Sequence, residues 1–137
     1  MDGEYSHNLD AKKRLTIPMK YRDELGADLV LVRGSEKNLL LFPYELWKER
    51  LKAIDEFPPE KRNALRELAY HYAARTAPDS QGRIIIPKDH LTHADVDVSV
   101  VVVGQGDYAV IWAAEKWSAR IASLEAGLLD DYASLQF

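Results

Sequence analysis

The chain carries two copies of one sequence pattern, and this duplication restricts the possible folds more than any other feature. Residues 10–18 read DAKKRLTIP and residues 79–87 read DSQGRIIIP, so Asp, Arg, Ile and Pro recur at an offset of 69 residues. The likeness continues as far as Trp47 and Trp117, which are 70 residues apart. Two copies of one supersecondary unit predict a pseudo-symmetric body, because an open array of repeats needs at least three copies.

Each copy predicts the same order of elements. A short strand leads into an Asp-x-x-x-Arg turn and a second strand leaves it, as in a hairpin. The proline that follows begins a brief helix, and Gly26 is expected to end the first of these as a left-handed cap. Two β-rich runs and a closing helix with one apolar stripe complete each copy. The predicted strands are 4–9, 14–17, 29–33 and 39–42, then 74–77, 83–86, 98–103 and 108–112.

A length of 137 residues suffices for one compact domain with its own core. We expect a single domain, 1–137, made of a first repeat 1–54, a helical connector 55–76 and a second repeat 77–137. The connector helix begins at Pro58-Pro59, and its apolar stripe is expected to pack on the body or on a neighbouring chain. That stripe contains Leu65, Leu68, Ala69 and Tyr72. Residues 129–137 show no strong signal and are expected to fray.

Composition excludes several kinds of site. The chain has no cysteine, which removes disulfides, thiolate catalysis and cysteine-based zinc sites. The four histidines form no metal-binding motif, and Gly104-x-Gly106 falls between two predicted strands, where a hairpin turn explains it better than a phosphate loop. With no signal-peptide pattern and no long apolar run, we expect a cytoplasmic protein without a membrane partner. No metal, cofactor or small-molecule substrate is expected.

The charge is unevenly distributed along the sequence. A net charge of −4 argues against binding a polyanion. Residues 10–22, however, contain five cations and a single carboxylate, Asp10. The cations are Lys12, Lys13, Arg14, Lys20 and Arg22. The sequence therefore predicts a basic patch on an acidic body, centred on the first turn.

The first turn has the chemistry of a DNA-contacting element. Arg14 can donate two hydrogen bonds to guanine or to a phosphate, whereas Lys12 and Lys13 can act as point charges against the backbone and Lys20 can extend the contact. Asp10 is expected to hold the shape of the turn through backbone N–H groups or its arginine. A purely structural ion pair, or a solvated basic face, would give the same pattern.

The second turn offers a weaker version of this chemistry. Arg83 can contact DNA, but residues 79–91 carry equal numbers of positive and negative charges, so folding or assembly is the stronger interpretation. Asp79 and Gly82 are expected to shape this turn. Trp47 and Trp117 could stack on bases, yet their helical phase and their equivalence in the repeat favour core packing.

These residues resemble the MraZ family of bacterial regulators, which is related to AbrB and MazE modules. The resemblance is carried by residues 5–12, by both Asp-x-x-x-Arg turns, by the Ile-Pro pairs that follow them and by Ile111-Trp112. It implies an α+β fold, an internally duplicated swapped-hairpin-like double β-barrel (AbrB-like) flanked by helices. It also implies a ring of several chains, associated with the nucleoid, that binds repeated promoter boxes and regulates the division and cell-wall gene cluster.

One position departs from the family pattern. Similar sequences carry glycine before the arginine in both turns; Gly82 keeps this residue, whereas Lys13 replaces it in the first turn. If the position needs a positive φ, lysine costs about 1–2 kcal/mol relative to glycine. The substitution also adds a positive charge to the turn.

Two other functional classes remain open from the residues alone. A ring-shaped scaffold could use the same basic turn to bind an acidic protein partner without specific DNA binding. An enzyme would need an activated nucleophile or paired carboxylates in a cleft, and the sequence offers neither. We therefore expect a regulator that binds double-stranded promoter DNA and is not an enzyme.

Overall fold

The computed structural model describes residues 1–137 as a mixed α+β body in which one order of elements, β-β-α-β-β-α, occurs twice. The first half contains β1 (Glu4–Asn8), β2 (Arg14–Thr16), α1 (Met19–Leu25), β3 (Leu29–Arg33), β4 (Leu39–Pro43) and α2 (Tyr44–Leu51). A 3-10 segment, Lys52–Glu56, and α3 (Pro59–His71) connect the halves. The second half contains β5 (Ala74–Thr76), β6 (Arg83–Ile85), α4 (Lys88–His93), β7 (Ser99–Gly104), β8 (Ala109–Ala113) and α5 (Ala114–Ala133).

The strands of the two halves are interleaved. One sheet has the order β1-β7-β8-β4-β3-β5, and a separate two-stranded ribbon pairs β2 with β6. All pairs are antiparallel. The predicted α+β, AbrB-like class is confirmed. The edge strands of the sheet, β1 and β5, do not pair with each other, so the sheet does not close into a barrel. After each edge strand the chain turns, and the next strands, β2 and β6, pair with each other instead of joining the sheet.

The hairpin expected within each copy takes a different form. β1 pairs with β7 and β2 with β6, so each strand that flanks a turn finds its partner in the other copy. Locally the first turn is still closed, because the Asp10 N–H donates to the Arg14 carbonyl at 3.1 Å. The sequence around a turn fixes that local bond, but it does not determine which strand lies alongside.

The six-stranded sheet buries both of its faces. Alternate residues point to opposite sides of a strand, so Leu29 and Leu31 enter the main core while Val30 and Val32 enter a second cluster. The main core lies between the sheet and the ribbon, whose Leu15 and Ile84 are buried within it. Each such side chain contributes roughly 1.5–3 kcal/mol of hydrophobic stabilisation. The ribbon is therefore anchored by its inner face.

α1 and α4 pack into the main core, whereas α2, α3 and α5 lie on the outer face of the sheet and cover it to different extents. α3 begins at Pro59, close to its predicted start, and none of its residues is buried. It contacts the body through Tyr70, whose ring lies edge-on to Trp47 with centroids 5.1 Å apart. α5 has 20 residues, about 30 Å, and stays helical to Ala133. The expectation that 129–137 fray is therefore wrong for the part up to Ala133. No helix has both the length and the apolar character needed to cross a membrane.

Seven residues adopt a positive φ, among them Gly26, Lys13 and Gly82. Gly26 has φ +77° with ψ −163°, an extended conformation open essentially to glycine alone, so it is not the left-handed cap that the sequence predicted. Lys13 has φ +59° and its counterpart Gly82 has φ +77°. The position before each turn arginine therefore does require a positive φ, and Lys13 carries the corresponding strain.

Arg22 explains why the second turn retains glycine. This side chain of α1 reaches across to the other copy, where its Nη2 donates to the Gln81 carbonyl at 3.2 Å, while its Nε donates to the Ile17 carbonyl at 3.0 Å. A Cβ on Gly82 would lie 2.3 Å from Arg22 Cζ. The guanidinium thus occupies the space that any side chain at position 82 would need.

We expect Gly82→Ala to lower the free energy of unfolding by more than Gly106→Ala. Both glycines have a positive φ, which costs alanine about 1–2 kcal/mol, but Gly106 has no atom within 4 Å of a built Cβ. Urea denaturation of both variants measures the difference, which should shrink when Arg22→Ala is added. Equal losses for the two alanine variants would contradict a role for the Arg22 contact.

Candidate nucleic-acid interface

A single aspartate organises the first turn. Asp10 Oδ1 accepts hydrogen bonds from the backbone N–H groups of Lys12 and Arg14, both at 2.9 Å, and Asp10 Oδ2 accepts one from Arg14 Nε at 2.6 Å. The Arg14 N–H is the largest cause that lowers the pKa of Asp10, and partial burial opposes it. The carboxylate therefore stays ionised and fixes both the backbone of the turn and the direction of the guanidinium.

The second turn repeats this geometry. Asp79 Oδ1 accepts from the N–H groups of Gln81 and Arg83 at 2.9 Å, and Asp79 Oδ2 accepts from Arg83 Nε at 2.8 Å. The Arg83 N–H is the largest cause that lowers the pKa of Asp79. The structure thus places both aspartates where the sequence expected turn-shaping groups.

The two turn arginines lie on one surface of the β2–β6 ribbon. Arg14 pairs with Ile85 and Thr16 pairs with Arg83, so these four residues share the outer face, opposite the buried inner residues. Diagonal neighbours in an antiparallel pair are roughly 7–8 Å apart. The side chain of Ile85 is 63% exposed beside them. We call this outer face, made of Arg14, Thr16, Arg83 and Ile85, the ribbon face.

Both guanidinium groups keep donors available. Each is bound to its aspartate through Nε, while the terminal nitrogens of Arg14 and Arg83 donate to no group of the chain. The arginine side chains are 24% and 27% exposed, respectively. Because the Nε contact holds each planar group in place, its outer edge forms a prearranged pair of donors.

The three predicted lysines have different surroundings. Lys12 is exposed at the tip of the turn without an ion pair. Lys13 Nζ donates to the Asp97 carbonyl at 3.0 Å and lies 3.7 Å from its carboxylate. Lys20 Nζ lies 2.9 Å from the carboxylate of Asp2 and remains more than half exposed. Two of the three lysines are therefore already neutralised within the chain.

Sequence reasoning missed two parts of this surface. It counted Arg22 only as a cation of the basic patch, whereas the structure shows that its guanidinium binds the carbonyl of Gln81 in the second turn. It also treated the turns separately, whereas the register places Arg83 beside Arg14. Counting charges along the sequence cannot show that Arg83 and Arg14 lie on the same face of the ribbon.

The two aromatic candidates lie away from the ribbon face. Trp47 is buried in the second cluster, on the other side of the sheet, and the half-buried Trp117 donates its indole N–H to Glu4. Gly104 is the last residue of β7, and Gly106 lies in the turn between β7 and β8. No group of three or more His, Cys, Asp or Glu side chains is arranged to hold a metal ion.

Comparison with known proteins assigns the chain to a family. The family model described as "MraZ protein, putative antitoxin-like" matches residues 1–67 and again 70–135. Three relatives named Transcriptional regulator MraZ are similar along most of their length. The protein from Leuconostoc mesenteroides is 39% identical over 88% of this chain and 85% of its own; that from Herpetosiphon aurantiacus is 39% identical over 96% and 95%. The protein from Carboxydothermus hydrogenoformans is 38% identical over 85% and 82%. The chain belongs to the MraZ family.

Proposed function

We propose that this protein is a sequence-specific DNA-binding transcriptional regulator that contacts double-stranded promoter DNA through the ribbon face. One observation carries the proposal: two arginines are diagonal neighbours on the outer face of a two-stranded ribbon, and each is held by an aspartate through Nε while its terminal nitrogens donate to no group of the chain. The names of the relatives, all transcriptional regulators, support the same function.

The shape of the ribbon suits the major groove of B-DNA. That groove admits a two-stranded β-ribbon, and an arginine can donate two hydrogen bonds to O6 and N7 of guanine. Arg14 and Arg83 would each read one base or grip one phosphate. Because their aspartates fix them before binding, little side-chain entropy is lost on contact. In this proposal the second turn is a reader alongside the first, despite its balanced charge.

The lysines would contribute unequally to backbone binding. Lys12 is free to contact a phosphate, whereas Lys13 and Lys20 must first give up Asp97 and Asp2. We propose that Lys12 contributes most to the electrostatic part of the affinity and the other two less. Asp10, Asp79 and Gly82 act by holding the turns in shape.

An acidic chain needs several ribbon faces to hold DNA tightly. With a net charge of −4, one copy repels the duplex overall. Linked copies convert later contacts into intramolecular ones and raise avidity by about 10²–10⁴. We propose a ring of several chains that binds repeated promoter boxes of the division and cell-wall gene cluster, in the cytoplasm at the nucleoid.

Replacing either ribbon arginine should abolish specific binding. We expect Arg14→Ala and Arg83→Ala each to weaken binding to the promoter boxes at least tenfold, and Arg14→Lys to do nearly the same, because lysine cannot make the planar two-donor contact. Gel-shift titration measures the loss, and circular dichroism checks the fold. Arg62→Ala, which removes a guanidinium on α3, is the matched control.

Footprinting on the upstream region of its own gene separates this function from a protein-binding scaffold. A regulator protects a repeated sequence, and Arg14→Ala abolishes that protection. Wild-type affinity of both alanine variants, or the absence of any protected repeat, would contradict the proposal.

The salt dependence of binding should identify the phosphate contacts. We expect Lys12→Ala to reduce the slope of log affinity against log salt concentration by about 1 per bound copy, as one lost phosphate contact does. Lys61→Ala is the control, because Lys61 is also exposed and unpaired but lies on α3. Fluorescence anisotropy at four salt concentrations gives both slopes. Identical slopes for the two variants would remove Lys12 from the interface.

A further inference from the structure

The ribbon face carries one apolar side chain among its polar ones. Ile85 is 63% exposed, and it is the only large hydrophobic side chain that is exposed in any strand of the chain. Leu15 and Ile84, at the centres of the same two strands, are buried in the main core. The alternation of side chains along β6 therefore places Ile85 on the solvent side, where burial within the chain does not account for it.

The repeat shows that the fold does not need an isoleucine at this position. Arg14 and Arg83 are equivalent residues of the two copies, 69 positions apart, and Thr16 and Ile85 are the other equivalent pair of the ribbon face. Threonine favours a strand as isoleucine does, because both are β-branched. Since Thr16 meets that requirement in β2 with a polar side chain, strand formation alone does not explain the apolar side chain in β6.

The register of the ribbon holds Ile85 close to Arg14. One pair further along, the Ile86 N–H donates to the Lys13 carbonyl at 3.1 Å. Hydrogen-bonded and non-hydrogen-bonded pairs alternate along an antiparallel ladder, so Arg14 and Ile85 form a non-hydrogen-bonded pair, in which the side chains are closer. The Cβ atoms of facing residues are about 4.5–5.5 Å apart, which is comparable with the rise of about 3.4 Å between neighbouring base pairs. When Arg14 contacts one base, Ile85 is therefore placed against the next base pair.

Thymine is the base that offers an apolar group to such a side chain. Its C5-methyl is the only methyl group on the base edges of the major groove, where the other bases present hydrogen-bond donors and acceptors. Ile85 can bury this methyl, whereas the arginines beside it can donate to O6 and N7 of guanine. Burial of one methyl group corresponds to a difference of about fourfold in affinity.

We propose that Ile85 is a specificity-determining residue that contacts the C5-methyl of a thymine next to the base bound by Arg14. Thr16, its equivalent in the first copy, presents a hydroxyl as well as a methyl, so the two corners of the ribbon face prefer different bases. The face thereby has a direction along the duplex, which two equivalent arginines alone would not give it. The inference deepens the proposed function, because it rests on DNA contact by the ribbon face and names the base that Ile85 reads.

Replacing thymine by uracil tests the contact, because deoxyuridine lacks only the C5-methyl group. The probes are duplexes of one box that the protein protects in the upstream region of its own gene, each with a single thymine replaced. In fluorescence-anisotropy titrations we expect the wild type to lose about fourfold in affinity at one of these positions. Ile85→Ala, which removes every side-chain atom beyond Cβ, should bind the thymine and uracil duplexes equally.

Leu68→Ala is the matched control, because Leu68 is also an exposed aliphatic residue but lies on α3. It should keep the wild-type preference for thymine. If circular dichroism shows that Ile85→Ala is unfolded, Ile85→Thr replaces it, because this variant carries the residue found at the equivalent position of β2 and lacks the terminal methyl. Its preference for thymine should be less than twofold. In sedimentation velocity both Ile85 variants should assemble as the wild type does.

Three results would overturn the inference. The first is that no single uracil weakens wild-type binding, and the second is that the folded Ile85 variant keeps the full preference for thymine. The third is a change in assembly, which would assign Ile85 to a contact between copies. In each case the proposed function stands if the wild type protects a repeat and Arg14→Ala does not. The absence of any protected repeat would overturn both proposals, so their failures can be told apart.

Discussion

The pairing of β2 with β6 is one of four strand pairings that join the two copies, and it is the one on which the candidate interface depends. Each strand buries one central apolar side chain, Leu15 or Ile84, in the shared core. The pairing also presents Arg14 and Arg83 on the opposite face of the same ribbon. Core formation and the geometry of the candidate interface therefore depend on opposite faces of one short antiparallel pair, and substitutions that slip its register would reverse both faces.

The repeat in the sequence predicts the order of elements and the shape of the turns, because these depend on residues close together in the chain. An aspartate four residues before an arginine can bind the turn's N–H groups whatever lies around it, and both turns do so. The same local pattern does not predict which strand pairs with which. Whether β2 pairs with its own copy or with the other is decided by burial of residues far apart, which no local pattern contains.

The candidate site was predicted in part for the same reason. Arg14 and Asp10 could be found from the turn itself, and the positive φ at Lys13 from its glycine counterpart. The pairing of Lys13 with Asp97 could not be found from the turn, because Asp97 follows α4 in the other copy. Counting charges along the sequence therefore overstated the free positive charge of the first turn and understated the part that Arg83 can play.

Differences between the copies are more informative about function than their likeness. Residues that match across the repeat, such as the buried centres of β2 and β6, serve a fold that both halves need. Where the copies differ, one half has a contact or a surface feature that the other half lacks. Gly82 makes room for Arg22, while Asn38, standing where its counterpart is Tyr108, leaves a groove open beside Trp112. A body with perfect internal symmetry would carry the same aromatic pair at both places on its outer face.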